Sequence, residues 1–191
     1  MNIGEYTFEE YQKKAQSFHG YPGPGLIVGG FMVELAKTKL PKGLRYSALS
    51  ETDHCLPDAI MLTTSCTVGN NRLKMLDFGR YALSLYDKES GQGVRVHIDL
   101  DILKEKFPTI YTWFMKLVPK KEQDNQKLNE ELANFGFDAL VITDIIVSPE
   151  FLHRSPKSKT HLCEMCNEPF PLLHGTVCRA CAGQSPYIET P

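Results

Sequence analysis

Four of the six cysteines in this chain are crowded near its C-terminal end as two pairs, Cys163-x-x-Cys166 and Cys178-x-x-Cys181, with eleven residues between the pairs. A two-residue gap lets both thiolates of one tight turn reach a single ion, at about 2.3 Å from each sulfur for Zn²⁺, and two such turns complete a tetrahedron. So short a segment cannot bury an adequate core of its own, so a zinc ion bound by Cys163, Cys166, Cys178 and Cys181 is what would fold it. With four protein ligands the site is closed, hence structural. His161 and His174 lie close in sequence, but four thiolates already complete the coordination. Pro169, Pro171 and Gly175 between the pairs leave room for one short hairpin, and Cys178-Arg-Ala-Cys181 can open a helical turn, which predicts a treble-clef or small ribbon finger. Lys157, Lys159 and Arg179 stand against Glu164 and Glu168, and a zinc tetrathiolate adds two negative charges. Nucleic-acid binding, which needs a basic surface, is therefore disfavoured, and docking to protein is favoured.

The remaining chain is long enough for a separate core. The stretch Arg154-Ser-Pro-Lys-Ser-Lys-Thr160 has linker composition, which predicts a large domain over 1–154 and a linker plus finger over 155–191. With 21 Lys+Arg against 23 Asp+Glu the formal net charge is −2, again without the excess of basic residues that phosphate backbones require. The longest apolar run, Leu26 to Ala36, contains Glu34 and is too short to span a bilayer. The opening residues Met1-Asn-Ile-Gly-Glu5 carry no signal-like apolar core, so the expected location is the cytoplasm, where cysteines act as thiols and metal ligands.

Within 1–154 the pattern alternates helix and strand without a regular βαβ beat, which predicts an α+β fold: a mixed helix and antiparallel-sheet core. Thr7-x-x-Glu10 is a capping-box signal for a helix over 8–18. The loop His19-Gly-Tyr-Pro-Gly-Pro-Gly25 breaks it, and Leu26–Lys39 reads as a buried helix whose Gly29 and Gly30 call for close backbone packing. Strands are expected over 44–51, 73–78, 81–86, 94–98 and 140–147. Further helices are expected over 56–67, from Leu100 behind Asp99, over 113–118 after a break at Pro108, and over 124–135. His97, in an apolar strand, reads as an edge-facing structural residue, and His54 as turned away from Cys55. Phe107, Tyr111, Trp113 and Phe114 read as core or dimer contact.

Cys55 precedes a helix whose free amides and dipole would stabilise a thiolate, and Asp58 three residues on could return a hydrogen bond to the Cys55 backbone. His19 stands before a loop that could project its ring into a pocket. Cys66 fits this group poorly: along one helix it would lie about 15 Å from Cys55. Phe18-His-Gly-Tyr-Pro-Gly-Pro-Gly25, Glu51-Thr-Asp-His-Cys-Leu-Pro-Asp-Ala-Ile60 and Thr64-Ser-Cys-Thr-Val-Gly-Asn70 stand in order with Leu76-Asp-Phe-Gly-Arg-Tyr-Ala82 and Gly91-Gln-Gly-Val-Arg-Val96. Together they resemble the FmdE family, which takes its name from a component of formylmethanofuran dehydrogenase.

The resemblance implies an α+β core, often with a treble-clef zinc finger, and a homodimer. The enzyme that gives the family its name is a molybdenum or tungsten complex, which implies such a complex as a protein partner. It also implies a core site at His19, Cys55, Asp58 and Cys66 that could hold a second metal ion. In the family loop, His-Gly-His-x-Cys-Pro-Gly, the second His and the Cys are replaced here by Tyr21 and Gly23, and Ser65 stands in place of a Gly. The expected function is a metal-binding accessory protein with a structural zinc finger and a metal or ligand pocket in the core. Two alternatives are a thiol-dependent enzyme using Cys55 as nucleophile and His19 as base, and a protein-interaction module with a degenerate pocket.

Overall fold

The computed structural model describes residues 2–152 and 158–188. The chain divides into two compact units, residues 1–152 and 153–191. The expected boundary at 154/155 and the first half of the linker lie outside the described residues.

The large unit starts with α1 (Phe8–His19), whose capping box forms as the sequence signals: Glu10 N–H donates to Thr7 Oγ1, and Thr7 N–H donates to Glu10 Oε2. Gly20 ends it in a left-handed conformation, φ 91°. Then α2 (Pro24–Lys39) begins two residues earlier than expected, because Pro24 occupies the first turn, where its missing N–H costs nothing. Nearly all of α2 is buried as far as Ala36. Two of its glycines explain how. A Cβ on Gly29 would lie 2.7 Å from the Ala59 Cβ, and one on Gly30 would lie 2.7 Å from the Tyr11 hydroxyl.

Five strands form one sheet in the order β2-β1-β3-β4-β5: β1 (Tyr46–Ser50), β2 (Leu73–Met75), β3 (Ala82–Asp87), β4 (Gln92–Ile98) and β5 (Leu140–Ile146). Three of the four pairings are antiparallel. The pair β1/β2 is parallel, since α3 (Leu56–Thr63) crosses between them and makes one βαβ unit that the sequence pattern did not single out. The helix α3 stops earlier than expected. The Thr63 and Thr64 hydroxyls donate back to the carbonyls of Ala59 and Ile60, and Thr64 turns extended. His97 is not at an edge: β4 is paired on both sides, and within it the buried atom Nδ1 finds no partner among the described residues.

Val94, Val96 and Ile98 of β4 join α2 in the main core, while Arg95 points to the other face and grips Glu51 with two hydrogen bonds of 2.6 and 2.9 Å. A second guanidinium, Arg80, reaches the same carboxylate at 2.8 Å. Burial pushes the Glu51 pKa up, but the two arginines overcome this and hold the carboxyl below its ordinary value. The remaining helices, α4 (Leu100–Lys106), α5 (Pro108–Phe114) and α6 (Asn125–Ala133), close over the same core face, with Asp99 and Asp124 as N-caps. Phe107 packs on Phe135 at 5.2 Å between ring centres, so the aromatic stretch read as core or dimer contact begins inside the core. A short α7 (Pro149–Leu152) closes a smaller cluster of Leu49, Tyr86, Val147 and Leu152.

Replacing Gly29 with Ala tests the close approach of α2 to α3. Ala is the better helix former by about 1 kcal/mol. The overpacking against Ala59 should nonetheless leave a net loss of roughly 1–2 kcal/mol, read as a lower midpoint in urea unfolding. A gain in stability would contradict this packing.

Candidate metal centre and core cavity

In the small unit, β6 (Thr160–Leu162) and β7 (Pro169–Pro171) form the expected hairpin, with the first cysteine pair in its turn. Asn167, with φ 60°, makes that turn tight, and Asn167 N–H closes it on the Cys163 carbonyl at 2.9 Å. The second pair sits at the start of a distorted helical turn, Ala180–Gln184. The four cysteine sulfurs all lie within 4.8 Å of one another. The Cys166 and Cys178 sulfurs are 3.9 Å apart. A tetrahedron with zinc–sulfur bonds of about 2.3 Å has edges of about 3.8 Å, so the Cys166–Cys178 pair already has the spacing Zn²⁺ requires and the whole set is compact enough to close on it.

The electrostatics agree. Amide N–H groups aimed at the Cys163 sulfur, those of Cys166 and Cys178 foremost, lower its pKa to about 6. The Cys178 N–H donates to that sulfur at 3.3 Å. Hydrogen bonding to Cys178 and the other crowded sulfurs instead pushes Cys181 up to about 12. Four thiolates so close cannot all ionise unless a cation neutralises them, and a divalent ion supplies that charge. Cys163, Cys166, Cys178 and Cys181 would hold the ion; it would fold the finger and perform no step on a substrate.

The core residues are arranged differently from the expectation. His19 and Asp58 do meet, with His19 Nδ1 2.6 Å from Asp58 Oδ2. That contact commits Asp58 to the ring, so the expected return bond from Asp58 to the Cys55 backbone does not form, and Cys55 has no side-chain cap bond. Burial pushes the Cys55 thiol pKa up, the Asp58 charge raises it further, and the Tyr21 hydroxyl offsets part of this. The expected helix-stabilised thiolate is therefore corrected: desolvation and a neighbouring carboxylate outweigh the dipole of a helix only eight residues long. Cys66 is elsewhere, fully buried in the main core, where its thiol donates to the Tyr46 carbonyl at 3.4 Å.

Nor do these residues assemble a second metal site. Among the described residues, the finger cysteines are the only group of three or more His, Cys, Asp or Glu side chains whose ligand atoms converge. The altered loop positions belong together: a Cβ on Gly23 would lie 2.6 Å from the Tyr21 ring, so the tyrosine occupies the space a side chain at 23 would need. Tyr21 packs against His19 with ring centres 4.9 Å apart and the rings tilted by 53°. His54, 85% exposed, pairs with Asp53 at 2.9 Å and lies at the rim.

What Cys55 does adjoin is a cavity of about 1070 Å³, walled by Tyr21, Tyr81, Trp113 and Phe114, with one face of α6 opposite. Tyr81 packs edge-on to Phe114 at 5.7 Å and donates its hydroxyl to the Gly25 carbonyl at 2.5 Å. A Cβ on Gly25 would lie 2.9 Å from the Cys55 Cβ, so this glycine admits the cysteine to the cavity floor. In the sequence Trp113 and Phe114 read as core or dimer contact; only the fold turns them to this cavity. Among the described residues, four that are not glycine have positive φ: Asn71, Asn167, Cys55 at 47° and Lys116 at 54°. Asparagine tolerates that region, and Lys116 adopts it as the left-handed end of α5, where its N–H bonds the Trp113 carbonyl and the Leu117 N–H bonds the Thr112 carbonyl; Cys55 has no such explanation, and it lines this cavity. At Cys55 the chain makes a γ-turn, Leu56 N–H donating to the His54 carbonyl, of the rare strained kind.

An α+β core with a converging four-cysteine finger defines a small metal-binding protein of two units. Residues 18–145 match the FmdE family, described as molybdenum formylmethanofuran dehydrogenase operon, and residues 154–188 match the FmdE treble-clef zinc finger. The chain belongs to the FmdE family. A crystal structure of a tungsten formylmethanofuran dehydrogenase FmdE-like protein from Syntrophus aciditrophicus shares 44% identity, with TM-score 0.88 over 98% of both chains. A protein of Archaeoglobus fulgidus named a probable S-adenosyl-L-methionine-binding protein is 29% identical over 89% of this chain. The chain spans about half the length of that relative, 52%. No helix among the described residues is long and apolar enough to cross a membrane.

Two outcomes test these sites. Purified under reducing conditions, the protein should carry one zinc per chain, and Cys178→Ser should release it and make the small unit protease-sensitive while the large unit stays folded. Zinc retained in a Cys163→Ser, Cys178→Ser double variant would refute the assignment. Cys55 should alkylate slowly at neutral pH, because little of it is thiolate. Asp58→Asn, by removing a negative charge, should speed that reaction several-fold by mass spectrometry. Rapid modification of native Cys55 would show that the thiol is not held neutral.

Proposed function

We propose that this chain is a metal-binding accessory protein whose finger is held by structural zinc and whose large unit binds a small organic ligand in the cavity beside Cys55. The observation that carries the reading is the strained turn at Cys55 on the floor of an aromatic cavity. Cys55 holds a positive-φ backbone conformation that costs of order 1–3 kcal/mol, and such outliers cluster at ligand sites, where the surrounding fold maintains them. The cavity has the composition of a ligand pocket, an aromatic wall with a few polar groups, here Gln123, Asn125 and Asn129.

A flat ring can stack on Tyr21, Trp113 or Phe114 while these amides read its edge, which is the chemistry an adenosyl group requires. The name of the Archaeoglobus relative supports the same ligand class. The thiol-enzyme reading gains no support from a Cys55 whose pKa is raised and a His19 whose Nδ1 is taken by Asp58. The accessory role itself, with a molybdenum or tungsten enzyme as partner, rests on the family.

Calorimetric titration with adenosine and with S-adenosyl-L-methionine tests the ligand reading. Saturable binding is expected, weakened about tenfold (~1.4 kcal/mol) by Gly25→Ala, whose new methyl would push on Cys55 and Tyr81 at the cavity floor. Binding of neither compound, or binding indifferent to the Gly25 change, would refute it.

A further inference from the structure

The charges around the cavity are one-sided in a way the composition does not explain. Acidic residues outnumber basic ones in the whole chain, 23 to 21. Yet no residue lining this cavity carries a carboxylate, while Lys116 and Lys120 both do line it. Neither lysine makes an ion pair among the described residues. Lys120 Nζ stands 5.7 Å from the centre of the Tyr21 ring, beside the aromatic wall, and the backbone of Lys116 is fixed by the bonds that end α5.

Three carboxylates close in sequence to lining residues have partners of their own. Asp58 is bound by His19 at 2.6 Å, Asp53 by His54 at 2.9 Å, and Asp124 accepts the Lys127 N–H as the cap of α6 at 3.0 Å. Glu122 and Asp124 line an adjoining, smaller cleft that shares Trp113, Val118, Gln123 and Leu128 with this cavity, and neither carboxylate reaches the lining of the cavity itself. Two lysines without an ion pair, beside an aromatic wall, make the lining of an apolar cavity positive. That combination attracts an anionic group carried on a planar ring and repels a cation.

We propose that the cavity beside Cys55 selects an anionic ring-bearing ligand, a nucleoside phosphate, with the ring on the aromatic wall and the phosphate at Lys116 and Lys120. This rests on the ligand reading above and narrows it, since S-adenosyl-L-methionine carries a cationic sulfonium where the proposal requires negative charge.

Trp113 is the one tryptophan of the chain and lines the cavity, so its emission, excited at the red edge where adenine does not absorb, reports occupancy directly. The intact protein is titrated with adenosine 5′-monophosphate, adenosine and S-adenosyl-L-methionine at low and at raised salt. The monophosphate should bind at least about tenfold more tightly than adenosine at low salt, and the advantage should shrink as salt screens the lysines. A double variant, Lys116→Gly and Lys120→Met, should lose that advantage while adenosine binds as before. Glycine suits the backbone at 116, and retained adenosine binding shows that the variant is folded. Equal affinity for adenosine and its monophosphate, or tighter binding of S-adenosyl-L-methionine, would overturn the anionic selectivity and leave the ligand reading standing. Failure of all three to change the emission or to bind would overturn both.

Discussion

The large unit depends on how closely α2 approaches its neighbours. Gly25, Gly29 and Gly30 lie along this buried helix, and a methyl at each would collide respectively with Cys55, Ala59 and Tyr11. Each glycine forgoes about 1 kcal/mol of helix propensity relative to Ala. What offsets this is contact: α1 and α3 pack directly on the α2 surface, and the tyrosine hydroxyl that lies over Gly30 donates to the Leu26 carbonyl at 3.1 Å. The same approach delivers Cys55, just before α3, to the cavity floor. Packing and site are thus two consequences of one helix without side chains at three positions.

The opposite face of the sheet fixes the other wall. Glu51, just after β1, ties Arg95 of β4 and Arg80 of a later loop to one carboxylate, and its backbone carbonyl accepts the Phe78 and Arg80 N–H groups. This holds the chain from Gly79 to Tyr81 beside Thr52, where Gly79, Tyr81 and Thr52 all reach the cavity. A buried carboxylate with two guanidinium partners is costly to separate from either, because the remaining charge would be left uncompensated. The wall is therefore rigid where the strained turn at Cys55 meets it. In the finger the order of cause is reversed: the four sulfurs repel until a cation joins them, so there the ligand makes the fold, whereas in the large unit the fold makes the cavity.

Local signals were legible wherever one short segment settles its own conformation. The Thr7/Glu10 capping box, the Asp99 and Asp124 caps, the buried character of α2 and the two Cys-x-x-Cys turns all depend on neighbours within a few residues. Boundaries were less legible where a competing bond intervened, as when Thr63 and Thr64 bond back into α3 and end it early. The strand at β2 is legible in the sequence, but its parallel pairing with β1 is not, because the crossover of α3 sets strand direction and no local pattern encodes it.

The sequence alone determined which residue types the protein has for chemistry: four thiolates at zinc spacing, a cysteine before a helix, a histidine before a Gly-Pro loop, and tyrosine and glycine in place of two ligands. Only the tertiary structure decided what those residues do, because partners distant in the chain set it. Asp58 lies three residues from Cys55 yet bonds His19, 39 residues away. Burial and that carboxylate raise the Cys55 pKa that its helix position would lower. Trp113, Phe114 and Lys116 come from a segment that reads as a helix with core or dimer contacts, and with Lys120 they become the lining of a cavity only when α5 and α6 pack into the large unit. Short-range spacing fixes a metal turn, whereas the charge and shape of a pocket are properties of the assembled surface.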